Sequence, residues 1–459
     1  MGSSVATARN PSQQRPPREA LLLQRLAEAR ARTDELFGIV RPEALYDRPI
    51  AERHRIIFYV GHVEAFDWNL LGRGHFELPA FDAGFDQLFA FGIDPVGGGL
   101  PTDAPEDWPE REQVDAYNQR LRSALDERLA TALDPGAARA GETARLVNVA
   151  IEHRLMHAET LAYMLHRLAP ERKFSRVDAP TPAAAQLTPR MVRIPAGAAT
   201  LGLRRDDREA FGWDNEFEEH RVDVPEFRID ARKVTNGEFL KFVSSGGYQE
   251  RSFWEDADWE WMQSTGTSRP AFWELRDGRI FLRTMFDEIP LPLDWPVYAS
   301  HAEARAYARW AGKELPSEAE WHRAAYGTPN GTERAFPWGD ETPAADRGNF
   351  DFARWDPTPV GSFPAGASAF GVEDMLGNGW EWTRTIFAPF PGFEPFTFYP
   401  GYSANFFDGQ HYVMKGASAR TAACLLRRSF RNWFQPHYPF VYAGFRCVAH
   451  ESRANPNSR

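Results

Sequence analysis

Only two cysteines, Cys424 and Cys447, occur in 459 residues. That scarcity excludes a disulfide-built scaffold and any zinc or iron–sulfur centre held by several thiolates. No apolar run approaches the roughly 18 residues of a membrane span. The first twenty residues, with Arg9, Arg15 and Arg18, lack the apolar stretch of a secretory leader. An excess of positive charge is missing too: 53 Lys and Arg stand against 64 Asp and Glu, a formal charge of −11. Nucleic acids and anionic membranes recruit basic surfaces, so neither is an expected partner. The expected setting is a reducing cytoplasm.

Aromatic residues, by contrast, are abundant. Fifteen Trp, 34 Phe and 13 Tyr, concentrated after residue 210, together with 35 Gly and 35 Pro, mark a loop-rich second half plugged by rings. The first half has helical periodicity. Apolar stripes predict helices over Arg18–Leu36, Arg53–Leu71, Pro109–Leu133 and Ala140–Leu168, enough for a four-helix bundle. A Gly/Pro loop, Gly92–Pro105, separates the second from the third. Expected organisation is a disordered tail over 1–17, a helical bundle over 18–176, a Pro/Ala-rich linker over 177–190 and an irregular α+β domain over 191–450. Within the last, Met191–Ile194 and His220–Ile229 read as β-like, and Asn236–Ser244 and His301–Ala311 as helical. No internal repeat is present.

The sharpest local pattern is His153-Arg-Leu-Met-His157-Ala-Glu159. Residues four apart share one helix face, so His153 and His157 can bind one metal ion. Glu159 lies about 200–240° around the helix from them and is not expected in the same coordination sphere. A third ligand must come from another helix, and His62, within an apolar helical segment, is the candidate. Three neutral imidazoles suit Fe(II), Zn(II) or Cu(II), and three protein ligands leave open positions, as catalytic sites do. The bland alternative is a solvated stripe for His153 and His157 and a hydrogen-bonded core residue in His62.

The C-terminal half carries an ordered series of motifs. Among them are Val234-Thr235-Asn236-Gly-Glu238, Leu315-Pro316-Ser-Glu318-Ala-Glu320-Trp321, Phe336-Pro-Trp338-Gly339, Gly377-Asn378-Gly379-Trp380-Glu381-Trp382 and Gly444-Phe445-Arg446-Cys447. Each by itself reads as a turn or an aromatic plug. As a series over about residues 190–450 they resemble the formylglycine-generating enzyme (sulfatase-modifying factor) family, which has a C-type-lectin-like fold. Those enzymes bind copper through two closely spaced cysteines; Cys424 and Cys447 are 23 apart, so that activity is not expected. The bundle, with its His-x₃-His-x-Glu pattern, resembles the DinB-like domain. This combination is similar to the non-haem iron enzymes of ergothioneine and ovothiol biosynthesis and to selenoneine synthase, which join sulfur or selenium to a histidine-derived imidazole using O₂. The resemblance implies His62, His153 and His157 as Fe(II) ligands, O₂ as co-substrate, and hercynine (trimethylhistidine) and a chalcogen donor as small-molecule partners. It also implies that a tyrosine from the aromatic loop, Tyr399 or Tyr402, and the segment Ser429-Phe430-Arg431-Asn432-Trp433 close the site, though both tyrosines and Trp433 read equally as packing residues.

Three positions depart from the pattern of enzymes that use γ-glutamylcysteine. Phe434 replaces the Asp that follows Trp433, Tyr438 stands in place of an Arg, and Met156 replaces the Gln before the second helix histidine. The stretch 434–440 then lacks formal charge unless His437 is protonated, and the Gly92–Pro105 loop has no Arg. A dicarboxylate donor needs bidentate cations. Hydroxyl-rich donors need hydrogen bonds and aromatic faces, so the expected donor is a selenosugar, and the expected activity resembles that of selenoneine synthase. Cysteine or γ-glutamylcysteine as donor, a Zn(II)-dependent DinB-type thiol transferase, and a non-catalytic lectin-like binding module are the alternatives.

Overall fold

The computed structural model describes residues 18–90, 100–176, 188–207 and 210–450. The tail expected over 1–17, most of the 177–190 linker and the Gly92–Pro105 loop as far as Gly99 lie outside them. Four helices fall where the periodicity puts them, α1 Arg18–Phe37, α2 Ile56–Asp67, α4 Arg111–Ala132 and α5 Ala140–Arg167, and a short α3 Ala83–Leu88, which the periodicity does not indicate, comes between α2 and α4. Helix α2 begins three residues later than expected, and the chain continues past Asp67 as π-helix over Trp68–His75. In α4, Val114, Tyr117, Leu121, Leu125 and Leu129 recur three or four apart and are all buried, the stripe that makes an amphipathic helix stable in tertiary packing. No helix among the described residues is long and apolar enough to cross a membrane.

Two compact units divide the chain. One contains Met1–Arg32, Val60–Phe91 and Pro109–Arg154; the other contains Thr33–Tyr59, Gly92–Trp108 and Leu155–Arg459. The first is helical. Among its described residues the second adds α6 Asn236–Ser244, α7 Asp256–Thr265, α8 His301–Trp310 and α9 Glu318–Tyr326 to twelve short strands. These are β1 Met191–Ile194, β2 Gly197–Leu201, β3 His220–Val224, β4 Phe227–Asp230, β5 Trp273–Arg276, β6 Arg279–Arg283, β7 Glu288–Pro290, β8 Gly379–Ile386, β9 Tyr412–Ala417, β10 Asn432–Phe434, β11 Ala443–Gly444 and β12 Val448–Ala449. The stretch expected to be continuous from His220 to Ile229 is two strands, because Pro225 cannot donate to a ladder.

The helices expected over Asn236–Ser244 and His301–Ala311 are present as α6 and α8, and the Leu315–Trp321 motif, which reads as a turn or aromatic plug, starts α9. Thr235 with Glu238, Ser300 with Glu303 and Ser317 with Glu320 form reciprocal capping boxes on α6, α8 and α9. The sheet that matters most has the order β10-β9-β8-β11. Trp433 pairs with Val413 and Phe434 with Tyr412, both antiparallel. Gly377, at φ 89°, turns the chain into β8; a Cβ there would stand 2.5 Å from the Asn349 carbonyl oxygen, so only glycine fits.

The middle of β8 is pinned electrostatically. Glu381 takes two hydrogen bonds from Arg446 (2.6 and 2.8 Å) and one from Lys233 (2.6 Å), all three side chains fully buried. Burial would raise the Glu381 pKa, yet Arg446 and Lys233 hold it below the ordinary carboxylate value. Glu381→Gln strands two buried cations and is expected to cost about 3–5 kcal/mol, read from urea unfolding. Because the folded pKa is depressed, this contribution is complete above pH 4.5 and lost as pH falls through the folded value. The gap between wild type and variant therefore narrows in acid; a gap that widened would contradict the assignment.

Candidate metal centre

Helix α5 carries His153 and His157 on adjacent turns, and α2 carries His62. All three are buried, at 4, 6 and 4 % exposure, which overturns the reading of a solvated histidine stripe. One ring nitrogen from each lies within 4.8 Å of those from the other two. His62 Nδ1 is 2.7 Å from the Phe89 carbonyl oxygen. A carbonyl only accepts, so Nδ1 carries the proton and Nε2 of the neutral ring keeps its lone pair, the tautomer that second-shell carbonyls impose on metal-binding histidines. His153 stacks on Phe66, one turn after His62, at 3.4 Å between centroids and 11° between planes. The Tyr59 ring is 6.0 Å from that of His157. Three close, buried imidazoles, one with its tautomer set by a backbone oxygen, suit a divalent transition metal.

Ion pairing fixes α2 against α5 at this level. Arg154, the residue after His153, reaches Glu64 at 2.7 and 2.8 Å, Asp67 at 2.5 Å and the Val63 carbonyl at 2.9 Å. Arg122 of α4 adds a bond of 2.9 Å to Glu64. Burial opposes ionisation of Glu64, but the two guanidinium groups outweigh it and bring its pKa to about 2. Asp67 is shifted the other way, upward, chiefly by burial.

Glu159 faces away from this cluster, as its position on the helix requires. It accepts hydrogen bonds from Trp380 Nε1 (2.7 Å), Ser418 Oγ (2.5 Å) and Thr421 Oγ1 (2.8 Å), tying the second half of α5 to β8 and the turn after β9. Met156, just before His157, receives the Tyr402 hydroxyl at 3.4 Å from its sulfur. The Tyr399 ring lies 5.6 Å from that of Tyr402. Trp433 meets Tyr402 edge-on at 5.5 Å and stacks on Phe387 at 4.2 Å. Met156, Tyr399, Tyr402 and Trp433 thus form one cluster. Asn432 spends its side-chain oxygen locally, on the Trp433 N–H at 2.9 Å.

Phe434 and Tyr438 belong to a second cluster. They stack at 5.2 Å, and the Tyr163 ring stands edge-on to both. Arg53 Nε donates to the Tyr438 hydroxyl at 3.1 Å. The sequence reading missed this cation: it stands 385 positions from Tyr438, and nothing in the local pattern connects the two. His437 is bonded to Asp258 at 2.9 Å and stacked on Trp261.

These elements fall into two known domain classes. Residues 25–161 match the DinB superfamily and residues 177–451 the sulfatase-modifying factor enzyme 1-like domain. The chain is therefore a DinB-like helical domain followed by a C-type-lectin-like domain of the formylglycine-generating-enzyme type. A hercynine oxygenase of Mycolicibacterium thermoresistibile is 34% identical over 441 residues, covering 94% of this chain and 95% of that protein. A hercynine oxygenase of Mycobacterium tuberculosis is 43% identical over 251 residues, 54% of this chain and 58% of that protein. Ergothioneine biosynthesis protein 1 of Neurospora crassa is 29% identical over 488 residues, 88% of this chain and 55% of that protein. The chain belongs to the sulfoxide synthase family that includes the hercynine oxygenases.

Taken as the ligand set, the three histidines predict that His62→Ala loses stoichiometric divalent metal after desalting. Metal content equal to that of the wild type would remove His62 from the set. Arg154→Met leaves Glu64 and Asp67 buried without their main counter-charge and is expected to cost about 3–5 kcal/mol in denaturant unfolding.

Proposed function

We propose that this protein is an Fe(II)- and O₂-dependent oxidoreductase that forms a carbon–selenium or carbon–sulfur bond on the imidazole ring of hercynine. The observation that carries the reading is the buried triad His62, His153 and His157 in a chain that aligns over nearly its whole length with a hercynine oxygenase. The three imidazoles would hold the iron, which when bound supplies Lewis acidity and one-electron chemistry toward O₂.

The chain's own groups have separate tasks. The face of Trp433 opposite Phe387 suits the permanently cationic trimethylammonium of hercynine, which an aromatic wall attracts without a counter-ion. Tyr402, with its hydroxyl at Met156 beside His157, or its neighbour Tyr399, holds a proton within reach of the reacting ring. Burial of the histidines excludes bulk water from their surroundings.

The favoured donor is a selenosugar. Phe434, Tyr438 and Tyr163 offer rings and phenolic hydroxyls, the chemistry that recognises a polyhydroxylated ring, and the Arg53 guanidinium donates to the Tyr438 hydroxyl. That same guanidinium favours a second reading, in which cysteine or γ-glutamylcysteine donates sulfur and Arg53 takes one carboxylate.

Aerobic incubation of Fe(II)-loaded protein with hercynine and, separately, a selenosugar, a thiosugar, cysteine or γ-glutamylcysteine tests this by mass spectrometry. A selenium adduct of hercynine formed only with the selenosugar is the expected result. An adduct with cysteine or γ-glutamylcysteine instead keeps the chemistry and replaces the donor. No adduct from any donor with iron bound overturns the hercynine assignment. The paired change Phe434→Asp and Tyr438→Arg is expected to move preference toward γ-glutamylcysteine by about tenfold or more in kcat/KM, the worth of one or two charge-assisted contacts.

A further inference from the structure

A four-residue turn that no part of the functional reading uses is buried more completely than the histidines: Trp213, Asp214, Asn215 and Glu216 are 0, 0, 1 and 0 % exposed. A short 3₁₀ helix over Asp214–Glu216, capped by Trp213 N–H on Glu216 (2.8 Å), gives it its shape. Two buried carboxylates in four residues are expensive unless each is fully engaged. Glu216 is engaged through both oxygens and Asp214 through Oδ1, and the partners lie on the two segments that carry the aromatic cluster.

Asp214 accepts the Ser403 hydroxyl at 2.6 Å and a backbone hydrogen bond from Phe396. Those two residues bracket the loop that bears Tyr399 and Tyr402. Trp213 stacks on the Tyr402 ring at 4.0 Å and 24°. Glu216 accepts the Ser429 hydroxyl at 2.6 Å and Arg427 Nε at 2.8 Å, and the Asn215 carbonyl faces Arg431 Nη1 at 3.4 Å. One turn thus grips both ends of the tyrosine loop, the face of one tyrosine and the start of the segment that ends at Trp433.

We infer that Trp213, Asp214 and Glu216 are positioning residues that hold the Tyr399–Tyr402 loop and the Ser429–Trp433 segment in one fixed arrangement, with the Tyr402 hydroxyl on Met156 next to His157. The catalytic part of this inference rests on the proposed function; the clamp itself does not. Asp214 is the decisive member because a single carboxylate closes the loop on itself. Removing it changes no residue of the helices that carry the histidines and releases the tyrosine loop, so it acts on the rate of the chemical step more than on metal or substrate binding. Misplacing a reacting group by about 1 Å can cost two orders of magnitude in rate.

The experiment compares wild type, Asp214→Ala, Asp214→Asn and Ser403→Ala as full-length, Fe(II)-loaded proteins. It reads metal content, steady-state turnover of hercynine with the productive donor, and amide hydrogen exchange of the 396–407 peptide. In Asp214→Ala, metal content is expected to equal wild type, KM for hercynine to stay within about threefold, kcat to fall about tenfold or more, and the loop peptide to exchange about tenfold faster while β8 and β9 do not change. Asp214→Asn keeps an oxygen for Ser403 and is expected to recover part of the kcat. Should Asp214→Ala not fold, Ser403→Ala removes the same bond from the loop side and is expected to raise loop exchange by a smaller factor. Unchanged loop exchange in these variants, or unchanged kcat with a loosened loop, overturns the inference. Wild type that leaves hercynine unmodified overturns the proposed function instead, and the exchange data still decide the clamp.

Discussion

Arg154 has no exposed surface and lies between two carboxylates, Glu64 and Asp67, that have almost none. A guanidinium moved out of water requires such partners, and once they are in place none of the three can shift without uncovering a buried charge. Its neighbours in sequence extend the constraint to the histidines. Arg154 follows His153 directly, and Glu64 and Asp67 follow His62 on the same helix. The neutralisation that allows burial therefore also sets the rotation and height of α2 against α5, and with them the separation of the imidazoles. Arg122, by bonding Glu64 from α4, brings a third helix under the same constraint.

Farther along α5 the same helix is held by different means. Glu159 is anchored by an indole and two hydroxyls rather than by cations, and His166 by the Tyr442 hydroxyl at 3.0 Å and the Arg283 carbonyl at 2.8 Å. Burial and the neighbouring Lys173 push the His166 pKa down to about 3, so this ring is neutral and acts as a hydrogen-bonding post.

The legible part of the structure was the part governed by local periodicity. The helices carrying His62, His153 and His157 announce themselves through three- and four-residue spacing, and the same geometry places Glu159 off the ligand face. The many short strands did not declare themselves: β5 to β7 and β2 run three to five residues, too short for alternation to rise above the aromatic background. Helix α8 was legible over His301–Ala311, whereas the Leu315–Trp321 motif read as a turn or plug: a helix of nine residues such as α9 gains its stability from tertiary burial rather than from its own sequence. Arg53 and the Trp213–Glu216 turn were illegible for a stricter reason. Their meaning lies in partners 385 and 189 residues away, and only folding brings Arg53 to Tyr438 or Asp214 to Ser403.

Strand β10 is only three residues long, and adjacent side chains on a strand point to opposite faces of the sheet. Trp433 accordingly joins Phe387, Phe406 and Tyr402, while Phe434 joins Tyr438 and Tyr163. Two neighbouring codons thus address two separate compartments. Mutation at one can remodel its own cluster while the ladder to β9 keeps the other in register, so the two clusters can change independently of each other.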